Sequence, residues 1–351
     1  MQRIDLKALS IVGIESFVTG LGLPLFRARQ LLHWIYEKCA RSIDSITEFS
    51  KGLRERLSET AFISNIDLLD KQRSEDGTEK FLFGLEDSET IESVLISDKD
   101  RLTLCISSQA GCAMDCRFCL TGKLKIRRDL KAHEIIDQVI SINRLLPSDT
   151  KVINIVFMGM GEPLTNLNEV SEALWRMTGL MKISKRRITV STSGVVPGIL
   201  KLYDNAPHVN LAVSLNATTD AVRDRLMPIN RKYPLRPLLD ACRKFPLEPS
   251  RRITFEYVML KDINDKLEDA ERLVKLLRGI PSKVNLIPFN PYEGSGFRRP
   301  DDASVLRFQD LLIKGNLTAI IRKSKGQDIL AACGQLKAGY PAKNRQNCSP
   351  S

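Results

Sequence analysis

The chain has 351 residues, 43% hydrophobic and 27% charged, and its 53 basic against 42 acidic residues leave a net charge of +11. No stretch approaches the roughly 18 uninterrupted apolar residues of a spanning helix and the amino terminus has no apolar signal core, which argues against a membrane or secreted protein and for a cytoplasmic one. The eight cysteines are clustered or isolated, unlike a secreted disulfide framework, and the basic excess points to a polyanionic partner, nucleic acid before anionic membrane, with a solubilising surface as the bland alternative.

Residues 1–62 read as a small helical module, with Ala28, Leu31, Leu32 and Ile35 at helical spacing and Arg27, Arg29 and Lys38 among them. The module is expected to grip RNA backbone or to cap the main domain. Residues 63–100 change to short β-like runs, Lys80 to Gly84 and Thr90 to Ile96, separated by turn-rich Ser74-Glu-Asp-Gly and Glu86-Asp-Ser. Over 101–334 strands alternate with helices. Strands are expected at Leu102–Ile106, Val152–Met158, Arg187–Ser191, Val209–Leu215, Ile253–Met259 and Val284–Pro288, with a further one at Leu317–Ile321. Helical patterns such as His133–Leu145, Asn168–Met181 and Lys266–Leu277 lie between them. Repeated β-α units of this kind predict an α/β fold, a parallel sheet wound as a partial (β/α)6 barrel whose ligands meet the carboxyl ends of the strands. Residues 335–351 read as a frayed tail.

The chemistry sits just after the strands. Cys112, Cys116 and Cys119 in Gly-Cys-Ala-Met-Asp-Cys-Arg-Phe-Cys-Leu can hold three irons of a [4Fe-4S] cluster, and with no fourth cysteine nearby one iron stays open to a ligand. A closed zinc site, the rival reading, needs four Cys or His ligands, and His33, His133 and His208 have no ligand spacing to this loop. After the next strand, Met158-Gly-Met-Gly-Glu-Pro brings backbone at Gly161 close to a ligand and offers Glu162 to an ammonium group. Ser191, the Ser214-Leu215-Asn216 run and Asn290 close later strands and offer hydroxyl, amide or backbone groups to ribose and carboxylate; singly, each reads as a turn or cap. Cys105, on an apolar strand, reads as a small core residue or a second thiol. Cys333, beside Gly334 in a small polar segment, suits a reactive thiolate. Glu92 is a carboxylate among apolar neighbours, either poised for proton transfer or at a surface edge. Cys39, Cys242 and Cys348 have no comparable context.

With the cysteine loop, Gly-Met-Gly-Glu-Pro, Ser-Thr-Ser-Gly-Val-Val-Pro, Glu-Tyr-Val-Met-Leu, Asn-Leu-Ile-Pro-Phe-Asn-Pro and Ala-Ala-Cys-Gly-Gln-Leu in order, the chain resembles the RlmN/Cfr family of radical S-adenosylmethionine RNA methyltransferases over nearly its whole length. The resemblance implies a radical S-adenosylmethionine core with a helical accessory domain and a β extension. It also implies one [4Fe-4S] cluster per chain on Cys112, Cys116 and Cys119, and two molecules of S-adenosylmethionine per turnover. One methylates Cys333; the other is cleaved reductively, and the resulting 5′-deoxyadenosyl radical takes hydrogen from that methyl group, whose carbon then adds to adenine. Cys105 matches the resolving thiol that forms a transient disulfide with Cys333, and Glu92 the proton acceptor. Gly161, Glu162, Ser191, Ser214, Leu215, Asn216 and Asn290 match the cofactor-binding positions.

The wording of the motifs is nearer to C2 than to C8 methylation of adenosine, with 23S rRNA as substrate, tRNA as a second candidate, an electron donor such as flavodoxin or ferredoxin, no membrane, and a monomeric enzyme. C8 methylation and a non-catalytic, zinc-stabilised RNA-binding protein are the alternatives. Two departures stand out: Asn216 replaces the family's usual histidine, and Lys123-Leu-Lys-Ile-Arg-Arg-Asp replaces a glycine-containing stretch.

Overall fold

The computed structural model describes residues 3–98, 101–147 and 150–336. Three helices, Ile11–Gly20, Phe26–Tyr36 and Lys51–Thr60, make the amino-terminal module. The hydroxyls of Ser10 and Ser50 accept the Gly13 and Leu53 amides at 3.0 and 3.3 Å, satisfying donors that a first helical turn leaves unpaired. The stripe of Ala28, Leu31, Leu32 and Ile35 is buried, as its spacing predicts. A parallel pairing of Ile4–Asp5 with Ala61–Phe62 joins the two ends of the module; two residues are too few to leave a periodic signal.

Ten strands form one sheet in which chain order is also spatial order. They are β1 (Asp67–Arg73), β2 (Glu79–Gly84), β3 (Thr90–Asp98), β4 (Arg101–Cys105), β5 (Asn154–Phe157), β6 (Ile188–Thr192), β7 (Asn210–Ser214), β8 (Ile253–Met259), β9 (Ser282–Pro288) and β10 (Thr318–Ile321). Strands β1 to β4 are mutually antiparallel, and β4 to β10 are parallel. Helices between successive parallel strands, among them Ala132–Leu145, Leu167–Gly179 and Leu267–Leu277, return the chain. Because β1 and β10 are edges that do not pair with each other, the curled sheet is an open barrel.

The alternation on β8 sorts its side chains. Ile253, Phe255, Tyr257 and Met259 enter the core under the helices, whereas Thr254, Glu256 and Val258 face the lumen. Expected strand ends lie within two residues of the observed ones, and Ile253–Met259 matches at both; where they differ, pairing rather than composition sets the limit. Gln335 and Leu336, assigned to a frayed tail, are instead buried; the rest of that tail lies outside the described residues. Among the described residues no helix is long and apolar enough to cross a membrane.

Buried polar groups lock the helical module to the barrel. Lys7 Nζ pairs with Asp137, both almost wholly buried, while Asp137 Oδ2 accepts the Ile66 amide at 2.7 Å. Arg176 donates to the Lys7 carbonyl at 2.7 Å and to Tyr36 Oη at 3.0 Å. Removing one partner of such a pair strands the other charge without solvent. Lys7→Ala is therefore expected to lower unfolding stability by about 3–5 kcal/mol, measured from the urea midpoint.

Candidate active site

The cluster-type loop follows β4 and is stapled at its base by antiparallel pairing of Gln109–Ala110 with Arg128–Asp129. Within it the Cys119 amide donates to the Cys116 carbonyl at 3.0 Å, and the Arg117 amide reaches out to Leu226 O at 2.9 Å. Cys112, Cys116 and Cys119 line one cavity of about 140 Å³. Burial pushes the Cys112 thiol up to about 12 and raises the other two, and Cys116 faces both of its fellow thiols. Thiolates on a single zinc would converge to roughly 4 Å from one another. Among the described residues, no three Cys, His, Asp or Glu side chains are gathered closely enough to hold one ion.

A cavity walled by three thiols suits a multi-iron body. Beside Cys116 lies Arg223, fully buried, whose guanidinium donates to Leu215 O, Ser193 O and Ser214 O and to Asn230 Oδ1 at 2.7–3.2 Å. All four acceptors are neutral. The carboxylates of Asp220 and Asp224 stand beyond Asn230, which donates to both, and the Arg223 fork joins the ends of β6 and β7.

Glu162 lies on the same cavity, 2% exposed. Burial raises its carboxyl, opposed by hydrogen bonds from the Ser193 amide and hydroxyl to Oε2 at 2.6 and 2.7 Å and from the Leu164 amide to Oε1 at 3.0 Å. Two glycines allow this turn for different reasons. A Cβ on Gly159 would sit 2.6 Å from Ile106 O, and Gly161 has φ of 100°. Ser191, Ser214 and Asn216 also line the cavity. Leu215 does not; its side chain is in the core, so only its backbone is at the strand end. The amide of Asn216 is spent on the scaffold, accepting Val258 N–H at 2.8 Å and donating to Met227 Sδ at 3.2 Å.

A second cavity of about 300 Å³ fills the lumen, and Cys105, Asn290 and Cys333 line it. Cys333 lines both cavities. Its segment is pinned from three directions. Leu120 N–H and Thr121 Oγ1 donate to Gly334 O and Leu336 O, each at 2.7 Å. Ser324 Oγ and Gln327 Nε2 donate to Asn290 Oδ1 at 2.5 and 2.6 Å. From the β1–β2 turn, Asp76 Oδ2 accepts Gly326 N–H at 2.9 Å, and Ser74 Oγ donates to Asp328 Oδ1 at 2.6 Å.

Cys333 is an exposed residue whose accessible surface faces the cavities it lines, and desolvation there pushes its thiol, like that of buried Cys105, up to about 12. Glu92 is buried, forms an ion pair with Lys80 at 3.5 Å, and shares a strand face with Val94 and Ile96 of the lumen. Sequence reasoning did not single out Arg223 or Glu256. Glu256 carried a signal of the same kind as Glu92, one carboxylate within an apolar strand. Arg223 is an ordinary basic residue on a short helix until the fold buries it.

Comparison with known proteins gives a consistent result. The Radical SAM superfamily model matches residues 106–277, and the Ribosomal RNA large subunit methyltransferase N-terminal domain matches residues 4–63. A protein of Pelobacter propionicus named dual-specificity RNA methyltransferase RlmN is 52% identical, covering 97% of this chain and 98% of that protein. One of the same name from Geobacter sulfurreducens is 54% identical, covering 97% of this chain and 93% of that protein. The crystal structure of a radical SAM methyltransferase from Sphaerobacter thermophilus superposes with a TM-score of 0.91 at 40% identity, covering 96% of this chain and 100% of that one.

The turn holding the Cys333 segment has a pH signature. Partial burial pushes the Asp76 carboxyl up, but hydrogen bonds from Thr78, Gly326 and Ser74 prevail and bring it down to about 2. A carboxyl depressed on folding stabilises above its unfolded pKa of about 3.9, and that contribution is lost as pH falls through about 2. Protection of the Gly326 amide, its exchange relative to the free-chain rate at the same pH, should fall over that interval. Asp76→Ala should show roughly 5- to 10-fold faster exchange there at neutral pH and no such acid dependence, as read by mass spectrometry.

Proposed function

Since the chain belongs to the RlmN family of radical S-adenosylmethionine RNA methyltransferases, we propose that it methylates C2 of an adenosine in 23S ribosomal RNA, and in tRNA as a second substrate. The observation that carries this reading is the position of Cys333, which lines both the cavity of the three clustered cysteines and the lumen that holds Cys105. C2 of adenine is an electron-poor amidine carbon, so transfer of a methyl cation to it fails and a radical route is needed.

Family membership implies a [4Fe-4S] cluster and S-adenosylmethionine. Cys112, Cys116 and Cys119 would hold the cluster, leaving one iron for the amino and carboxylate groups of the cofactor. Glu162 would accept an N–H of that amino group, while Ser191, Ser214, the backbone at Gly161, Leu215 and Asn216, and the Asn290 amide would serve its ribose and carboxylate. When bound, the cluster supplies the electron that splits the cofactor reductively, fed by a donor such as flavodoxin or ferredoxin.

Two cofactor molecules are used per turnover, one as methyl donor. Cys333 takes that methyl by displacement, loses one hydrogen from it, and bonds through the same carbon to C2 of the base. Glu92 takes the proton from C2, and the unpaired electron left on the adduct passes back to the oxidised electron donor. The Cys105 sulfur then bonds to the Cys333 sulfur, the Cys333 S–C bond breaks with its electron pair going to the base-borne carbon, and a proton completes the methyl group. Lys123, Lys125 and Arg127, exposed beside the cluster loop, supply positive charge for RNA phosphates. The enzyme acts as a monomer in the cytoplasm.

Cys333→Ala is expected to keep iron and sulfide but to yield no methyladenosine in digested ribosomal RNA; retained methylation would remove the carrier role. Cys105→Ala should accumulate a covalent protein–RNA species on denaturing gels, and normal product release would count against its resolving role. Chromatography of wild-type product against 2-methyl- and 8-methyladenosine decides the position: 8-methyladenosine would overturn C2 chemistry.

A further inference from the structure

Barrel interiors are filled mainly by branched apolar side chains. One sector of this lumen is polar instead: Thr254 and Glu256 on β8, Lys283 and Asn285 on β9, and Arg322 just beyond β10. Glu256 is only 7% exposed, and its Oε1 accepts Asn285 Nδ2–H at 2.9 Å. It lines both cavities, as Cys333 does. Glu256, Cys105, Cys119 and Arg322 are the titratable neighbours of the Cys333 thiol. A buried carboxylate needs a reason, because desolvation is costly and here still raises its pKa against the Asn285 hydrogen bond and the charges of Arg322 and Lys283.

Methyl transfer to Cys333 supplies the reason. The S–H bond breaks as the S–CH3 bond forms, and the donor's C–S bond breaks with its electron pair staying on the former sulfonium sulfur. One proton is left over. Burial keeps the Cys333 thiol protonated near neutral pH, so the proton cannot be shed to bulk water beforehand at little cost. We propose that Glu256 is the acceptor: Asn285 occupies Oε1, and the carboxylate takes the Cys333 thiol proton as the sulfur is methylated. This rests on Cys333 being the methyl carrier. It gives the two lumen-facing carboxylates separate tasks, Glu256 serving the thiol and Glu92 the base. Burial raises the Glu256 carboxyl, and the facing cations, Arg322 after β10 and Lys283 from β9, oppose that shift and so assist its return to the carboxylate form between turnovers.

The test uses the full chain carrying its cluster, without RNA, supplied with S-adenosylmethionine; the mass gain of one methyl on the Cys333 peptide is followed over time. In wild type the Cys333–Glu256 pair keeps one shared proton, so the rate should be level between the two groups' ionisations. Glu256→Gln retains the Asn285 contact but must lose the thiol proton to solvent. Its rate should rise about tenfold per pH unit and lie on the order of 10²-fold below wild type near about pH 6.5. Glu256→Asp should restore a level profile at a lower rate. The same contrast is expected for alkylation of Cys333 by iodomethane in protein lacking the cluster, a readout independent of the cofactor. If wild-type Cys333 never gains a methyl from S-adenosylmethionine, the carrier reading falls. If it does, and Glu256→Gln follows the wild-type profile while retaining wild-type iron and sulfide, the carrier stands and Glu256 is not the acceptor.

Discussion

The hydrogen bond from Thr121 Oγ1 to Leu336 O joins residues 215 apart in sequence, and the neighbouring Leu120 N–H to Gly334 O bond at 2.7 Å doubles it. The position of Cys333 depends on this seam. A thiol that must meet a cofactor on one side and a base on the other has to sit at the boundary of two cavities, and a free chain end would not stay there. Cross-links to the cysteine loop, the β1–β2 turn and Asn290 replace the tether that secondary structure supplies elsewhere, since no helix or strand runs through the described part of this segment.

Burial raises the stakes at the same place. The site collects Arg223, Glu162 and Glu256 out of water; hydrogen bonds at the strand ends hold the first two, and Asn285 on the neighbouring strand holds Glu256. Such groups cost stability unless they are paired or satisfied, so the scaffold around them has to be rigid. Parallel register delivers that rigidity. With β4 to β10 aligned, the segments after Cys105, Phe157, Thr192, Ser214 and Pro288 emerge on one rim, where glycines, serines and the buried arginine can close on each other.

Asn216 and Cys333 show how sequence and structure divide the information. At Asn216 the departure from the family's usual histidine looked like a question about the cofactor. The fold answers it differently, spending the side chain on Val258 and Met227, so any contribution to a ligand is left to the backbone. At Cys333 small polar neighbours suggested an accessible thiolate; the residue is exposed to the cavities it lines, yet desolvation and the neighbouring Glu256 push its thiol up to about 12. Local composition reports what lies within a few residues, whereas a thiol's ionisation follows everything within several ångströms.

The sequence by itself determined the α/β class, the strand and helix alternation, the three-cysteine loop and the glycine turn, because each is written in spacing over ten residues or fewer: two for a strand, between three and four for a helix, close steps for ligands on one loop. It also marked Cys105, Cys333 and Glu92 as unusual without bringing them together. Only the tertiary structure decided that Cys333 separates two cavities, that Arg223 is buried beside Cys116, and that Glu256 turns toward the thiol rather than the helices. Alternation along a strand tells which residues share a face. What that face meets is set by the curl of the sheet and by a carboxyl-terminal segment returning from the far end of the chain.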